Sequence, residues 1–181
     1  MHVCSRFVVL FFMVFAVFSV QAHQARPALI TLTFQQNGTV QLQIKTNAES
    51  LLAGIDSKHK NTDDAPQVEF YRELRELSPA LLATRFFQFQ DQYKQGLKLQ
   101  LSGKPVDWQY VSIAVPEVGD PRQSRQSTIE FVGDIPAQAV NAIWAYEKTY
   151  GDAVVSFISQ GQQQKTTHWL VEGEWSPEYQ L

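Results

Sequence analysis

Two short runs of β-forming residues, joined by an Asn-Gly pair, constrain the fold of this chain more than any other feature. The first run covers residues 28–35, and the second, 39–45, alternates strictly so that its apolar side chains share one face. Asn37-Gly38 lies between them, and both residues tolerate the positive φ angles of a type I′ turn. The segment therefore predicts a β-hairpin.

After this hairpin, the apolar residues no longer recur at every second position but at every third or fourth position, as on one face of a helix. This spacing predicts a helical block at about residues 47–95. Asn47 is a good N-cap for a short first helix. Ser78-Pro79 interrupts the later apolar pattern, and serine suits a helix cap while proline suits the first helical position. This dipeptide indicates either two consecutive helices or one kinked helix. The two apolar stripes expected here are Phe70, Leu74, Leu77 and Leu81, then Leu82, Phe86, Phe89 and Tyr93.

Short strand patterns separated by turn residues return after Gly96. Two of them, residues 141–148 and 153–159, flank Tyr150-Gly151-Asp152 and are predicted to form a second hairpin. Many short strands with turn signals favour a β-sandwich. The sequence therefore predicts an α+β, mainly β domain: an antiparallel β-sandwich-like fold whose helical block, inserted at residues 47–95, covers one face or end. The other predicted strands are 97–101, 106–115, 128–132 and 166–171.

The N-terminal segment has the three parts of a secretory signal peptide. Arg6 gives it a positive charge, an apolar run follows at residues 7–18, and Val20-Gln21-Ala22 resembles a signal-peptidase site. The run is shorter than the roughly 20 apolar residues of a transmembrane helix. An uncleaved membrane anchor is the alternative. We expect residues 1–22 to be removed, leaving one β-rich periplasmic domain of residues 23–181.

Composition narrows the functions open to the mature domain. The single cysteine, Cys4, lies in the predicted leader, so the mature chain would carry no disulfide and no thiolate ligand. The net charge of −3 does not indicate a nucleic-acid partner, because such proteins carry a basic face. No catalytic motif and no further membrane-spanning segment is recognisable. An enzyme is therefore the less favoured class.

His23 would become the first residue of the mature chain. Its α-amine and ring nitrogen together could chelate copper or nickel, which favour nitrogen ligands in a planar arrangement. Further ligands would come from His59, in a polar loop, and His168, in a strand. The sequence thus offers a metal site at these three histidines. The alternative is that the residue after a cleavage site is arbitrary and the terminus unstructured.

A second candidate site is the charged loop that begins after residue 115. Glu117 and Asp120 lie in this loop, and Arg122 and Arg125 come just after it. Charges of both signs could bind an ion or a small anion. The alternative is a solvated turn that contains a local salt bridge.

Several segments resemble a family of exported, periplasmic bacterial proteins. Residues 23–28 resemble its H-x-x-R-P-A start, residues 47–55 resemble its N-x-E-x-L-L-A-G-I segment, and residues 116–121 are similar too, as are Tyr150-Gly151 and Ser176-Pro177. The opening also resembles the periplasmic region of HupE/UreJ-type accessory membrane proteins, which are linked to nickel and other metals. The resemblance implies a Gram-negative periplasmic setting and supplies no catalytic residues.

These features predict a periplasmic, non-enzymatic accessory domain. It would bind a membrane protein, such as a metal transporter, through a sheet edge or through its loops. The alternative is a periplasmic protein that binds copper or nickel through His23. A hydrolase with an unrecognised site is the third hypothesis.

Overall fold

Ten strands and three helices make up the described part of the chain. The computed structural model describes residues 26–59, 62–120, 123–161 and 165–181. The helices are α1 (Ala48–Ala53), α2 (Val68–Glu76) and α3 (Pro79–Lys94). The strands are β1 (Ala28–Phe34), β2 (Thr39–Thr46), β3 (Leu97–Leu101), β4 (Lys104–Pro105), β5 (Gln109–Ala114), β6 (Ser127–Asp134), β7 (Asn141–Tyr146), β8 (Ala153–Ser159), β9 (Lys165–Leu170) and β10 (Tyr179–Gln180).

The strands form two sheets that enclose one hydrophobic core. The larger sheet has the order β5-β6-β2-β1-β8-β9, and the smaller has the order β10-β7-β3-β4. Neighbouring strands are antiparallel except β1 and β8, which run parallel. Buried residues of both sheets, such as Phe131 in the larger and Trp144 in the smaller, belong to the same core. The predicted class is confirmed: a mainly β, α+β domain with a helical block between β2 and β3.

The predicted hairpin of β1 and β2 is confirmed, but its predicted turn type is wrong. A type I′ turn needs two residues with positive φ, whereas only Gly38 has one, at 83°. Its N–H donates to the Gln35 carbonyl at 3.3 Å. Asn37 uses its side chain instead, because its Oδ1 accepts from the Thr39 N–H at 3.1 Å. The side-chain hydrogen bond and one left-handed glycine close the turn together.

β7 and β8 lie in different sheets, so the predicted hairpin between them is wrong. β7 pairs with β3 and β10, whereas β8 pairs with β1 and β9. A 3₁₀ turn at Lys148–Tyr150, followed by Gly151 with a φ of 94°, carries the chain from one sheet to the other. The alternating pattern and the turn residues were recognisable locally. The choice of strand partner was not, because it depends on distant residues.

The caps predicted for the helical block are confirmed. The Asn47 Oδ1 accepts from the Ser50 N–H at 3.1 Å and starts α1. Ser78 caps α3, and Pro79 occupies its first position, so the block contains two consecutive helices at this point rather than one kinked helix. None of the described helices is long and apolar enough to cross a membrane.

The predicted stripe of α3 is confirmed and anchors this helix to both sheets. Leu82, Phe86 and Tyr93 are fully buried. The Tyr93 hydroxyl lies 2.7 Å from the Tyr146 hydroxyl of β7, and burial raises the pKa of both phenols. The two hydroxyls therefore stay neutral and serve as a buried hydrogen-bonded link between α3 and the smaller sheet.

The stripe predicted through α2 is confirmed at Leu74 and Leu77 and wrong at its two ends. Phe70 and Leu81 are 47% and 56% exposed, whereas the buried residues of α2 are Tyr71 and Leu74. A stripe continuous from residue 70 to 81 would require one helix, and the chain instead changes direction at Leu77. The helix turns its tyrosine inward, where the hydroxyl has a polar partner in the side chain of Asn47.

Candidate functional site

The predicted histidine site lies only partly within the described residues. His23 is outside them. His59 is half-buried in the loop after α1, and His168 is half-buried on the core side of β9, with its ring centroid 6.3 Å from that of Phe157. Across the described ranges, no three His, Cys, Asp or Glu side chains come together in an arrangement that could hold a metal ion. Copper or nickel binding through His23 therefore stays a prediction.

Titration of the mature chain, residues 23–181, with Cu(II) tests this prediction by calorimetry. We expect binding in about the micromolar range or tighter, because the terminal amine and ring nitrogen of His23 chelate the metal. The substitution His23→Ala should weaken binding by more than the roughly tenfold that loss of an outer-shell partner costs. His168→Ala tells whether the strand histidine is a further ligand. Equal affinities of the wild type and His23→Ala would exclude the site.

The connection between β5 and β6 is fastened to α2 by two arginines, and we call its described residues, 115–120 and 123–126, the clamped loop. Arg125 of this loop reaches the carboxyl end of α2, where its Nη2 donates to the Leu74 carbonyl at 3.2 Å and its Nη1 to the Leu77 carbonyl at 3.0 Å. Helix ends leave carbonyls without partners, and a cation is favourable there. A weaker contact of 3.5 Å joins Nη1 to the Pro116 carbonyl.

Arg75 of α2 makes the reciprocal contacts. Its guanidinium donates to the Gln123 carbonyl and, at 3.3 Å, to the Asp120 carbonyl. The arginine of the loop thus binds carbonyls of the helix, and the arginine of the helix binds carbonyls of the loop. These contacts hold both sides of the loop against α2 through backbone carbonyls.

A buried ion pair lies beneath the clamped loop. The Arg125 Nε donates to the Glu49 Oε1 of α1 at 2.6 Å, and the two side chains are 5% and 0% exposed. The second carboxylate oxygen, Oε2, is buried without a hydrogen-bond partner among the described residues. Burial of both ions costs solvation free energy that only good geometry offsets. Arg125 is the cation that pairs with this carboxylate, and the N-terminal end of the α1 dipole adds to its compensation.

Tyr71 completes this polar cluster. The Asn47 Nδ2 donates to its hydroxyl at 2.9 Å, and the Arg75 guanidinium lies 5.7 Å from the centre of its ring. Burial raises the pKa of the Tyr71 phenol, and the negative charge of Glu49 acts in the same direction. The phenol therefore stays protonated at neutral pH. Its polar partner satisfies the hydroxyl that α2 buries by turning Tyr71 inward.

The exposed end of the clamped loop contains two of the predicted site residues. Glu117 and Asp120 are exposed, and Val118 between them is 51% exposed. Arg122 lies outside the described residues. Arg125 is buried, and because its ion pair joins two distant segments, the alternative of a solvated turn with a local salt bridge is wrong for this residue. Ligand binding at Glu117 and Asp120 stays a prediction.

Glu49 and Arg75 were missed by reasoning from the sequence. An acidic residue in the first turn of a helix is common, because it complements the helix dipole, so Glu49 carried no distinctive local signal.

A shallow cavity of about 210 Å³ lies on the outer face of the larger sheet, across β1, β2, β5 and β6. Among the described residues that line it, Glu130 alone is titratable. Its two oxygens accept from Gln43 at 3.2 Å and from Ser112 at 3.0 Å. Hydrolytic sites combine a nucleophile with a base, or two carboxylates in different states. The lining contains one carboxylate, and its hydrogen-bond partners are Gln43 and Ser112 rather than the threonine hydroxyls of Thr31 and Thr33.

Comparison with known proteins leaves the function to be inferred from the domain itself. No protein-family model and no curated protein matches the chain. The charges, contacts and exposed surfaces of the described residues are therefore the basis for a functional proposal.

Proposed function

We propose that this chain is an exported, non-enzymatic accessory domain that binds a membrane protein through the exposed end of its clamped loop. The observation that carries this proposal is the buried pair of Arg125 and Glu49, which fixes a surface loop at a cost in solvation. Apolar residues of similar volume often stabilise a protein more than a buried ion pair does. Stability alone therefore does not account for the pair, whereas the positioning of a binding loop does.

The exposed end has a defined chemistry. Glu117 and the Asp120 carboxylate flank Val118, and the backbone on either side is held by the contacts of Arg75 and Arg125. A loop that is already ordered loses little conformational entropy when it binds. The acidic group of Glu117 beside the apolar side chain of Val118 fits a partner surface that has a basic residue next to a small apolar pocket. A metal transporter is the example that the sequence favours for such a membrane partner.

Photocrosslinking from the loop tests the proposal. A photoreactive residue at position 118 of the mature chain should form one discrete crosslinked product with a membrane protein, in membranes of the cells that produce the domain. Val140 is the matched control position, because it is also a loop valine and is 62% exposed. Introduction of Glu117→Lys into the protein labelled at position 118 should abolish the product, since it reverses the charge next to the contact.

The stability of this variant distinguishes lost binding from unfolding. Glu117→Lys changes an exposed side chain, so the free energy of unfolding should change by no more than about 0.5 kcal/mol. Equal crosslinking from positions 118 and 140 would contradict the proposal. So would a product at position 118 that Glu117→Lys leaves unchanged.

A further inference from the structure

Three of the four sheet edges in the described part of the chain are protected against further pairing. The smaller sheet ends in β4 and β10, which have two residues each, and Pro105 of β4 has no N–H to donate. In the larger sheet, β5 contains a bulge next to Tyr110, and Phe87 of α3 packs on the same tyrosine with centroids 5.9 Å apart. Short strands, proline, bulges and covering helices are the usual devices that prevent strand addition.

β9 lacks these devices. It has six residues, mostly β-branched or aromatic, and within the described ranges no strand pairs with its outer side. Its odd-numbered residues face solvent, and Trp169 among them is 59% exposed. Across the sheet, Trp169 lies in one row with Val154 and Leu29, and Leu29 is itself 49% exposed. An unpaired edge with exposed apolar side chains is a template for another strand.

We propose that β9 pairs antiparallel with β9 of a second copy of this chain, about a twofold axis at Thr167. In an antiparallel pair, residues that lie opposite each other point to the same face of the sheet. The solvent-facing, odd-numbered residues of one copy must therefore lie opposite odd-numbered residues of the other. An axis near the middle of β9 then passes through either Thr167 or His168. At Thr167 it places Lys165 of each copy opposite the second copy's Trp169, and the two threonines opposite each other.

The side chains favour the axis at Thr167. A lysine ammonium over an indole ring is a favourable cation–π contact, and threonine pairs across strands hydrogen-bond. With the axis at His168, the two half-buried imidazoles would instead face each other, and Lys165 of one copy would face Val171 of the other. A lysine on an edge strand normally opposes pairing. Lys165 is the only charged residue of β9. In this register, the Trp169 ring of each copy is the partner of the Lys165 ammonium of the other copy.

Cysteine crosslinking tests the contact and its register. The chain's single cysteine, Cys4, lies in the predicted leader, so each substitution in residues 23–181 introduces the only thiol. Thr167→Cys should form a disulfide-linked dimer on mild oxidation, since opposing Cα atoms about 4.5–5.5 Å apart allow a disulfide. Thr31→Cys is the matched control, because it faces the same way but lies on β1, between β2 and β8. A disulfide from His168→Cys and none from Thr167→Cys would overturn the register.

The mass of the unmodified mature chain in solution tests the dimer itself. Light scattering should give the mass of two copies, and Trp169→Lys should raise the dissociation constant at least about tenfold while the thermal midpoint of the monomer stays the same. Phe87→Lys, at a position 62% exposed on α3, should leave the dimer intact. A monomeric wild type at its highest soluble concentration would overturn the proposal. So would a crosslink from position 167 to a different protein in place of a second copy. Neither result affects the test at position 118.

Discussion

Replacement of Arg125 by methionine should lower the free energy of unfolding by about 3–5 kcal/mol, because the buried carboxylate of Glu49 loses its cation. Glu49 is 0% exposed, and its Oε2 already lacks a hydrogen-bond partner among the described residues, so without Arg125 only the N-terminal end of the α1 dipole would offset the cost of the buried charge. The same substitution also releases the carbonyls of Leu74 and Leu77. Urea denaturation followed by tryptophan fluorescence measures the change.

Two further variants show whether the ion pair is the cause. The double variant Glu49→Met with Arg125→Met removes both charges, and it should be more stable than Arg125→Met alone by about 1–3 kcal/mol. Arg72→Met is the matched control, since Arg72 pairs with Glu69 and Asp63 at the surface and is 56% exposed. Its effect should stay below about 1 kcal/mol. A double variant as unstable as the single one would show that the released carbonyls, rather than the unpaired carboxylate, dominate the loss.

Replacement of Phe86 by alanine should lower the free energy of unfolding by a similar amount, about 3–5 kcal/mol, because it opens a cavity where α3 meets the core. Phe86 is 0% exposed, and its ring centroid lies 5.4 Å from that of Tyr93 and 6.3 Å from that of Tyr110. The adjacent Phe87 is 62% exposed and loses only its contact with Tyr110, so Phe87→Ala should change the same quantity by no more than about 1.5 kcal/mol.

The two variants have the same original residue, the same helix and the same replacement. A difference between their free energies of unfolding therefore reports the difference in burial of the two phenylalanines. Thermal and urea unfolding of both proteins under one set of conditions gives the comparison. Similar losses in Phe86→Ala and Phe87→Ala would mean that α3 does not anchor the helical block in the way the structure shows.

The elements that depend on nearby residues could be predicted from the sequence. Asn47 and Ser78 cap helices through contacts three residues away, and Gly38 closes a hairpin whose two strands are adjacent in the chain. Even here the turn type was wrong, because an asparagine that can adopt a positive φ can also hydrogen-bond through its side chain. Sequence alone does not show which of these two options has the lower free energy.

The candidate site could be predicted only in part. Arg125 belonged to the predicted loop, but its burial and its partner Glu49 could not be foreseen, since they depend on how α1 and the β5–β6 connection meet in space. Tyr71 shows the same limit, because hydrophobic spacing favoured Phe70 for the buried position. The buried tyrosine hydroxyl has its polar partner in another element. His23 remains a prediction from the sequence alone.

The parallel pairing of β1 with β8 has a consequence for how the chain reaches its native state. Ala28 pairs with Ala153, so the centre of the larger sheet cannot close until most of the polypeptide has left the ribosome. Contacts between such distant segments slow folding, and until then one edge of β1 stays open to chaperones, proteases and aggregation. Nascent chains that stop before β8 should therefore remain protease-sensitive.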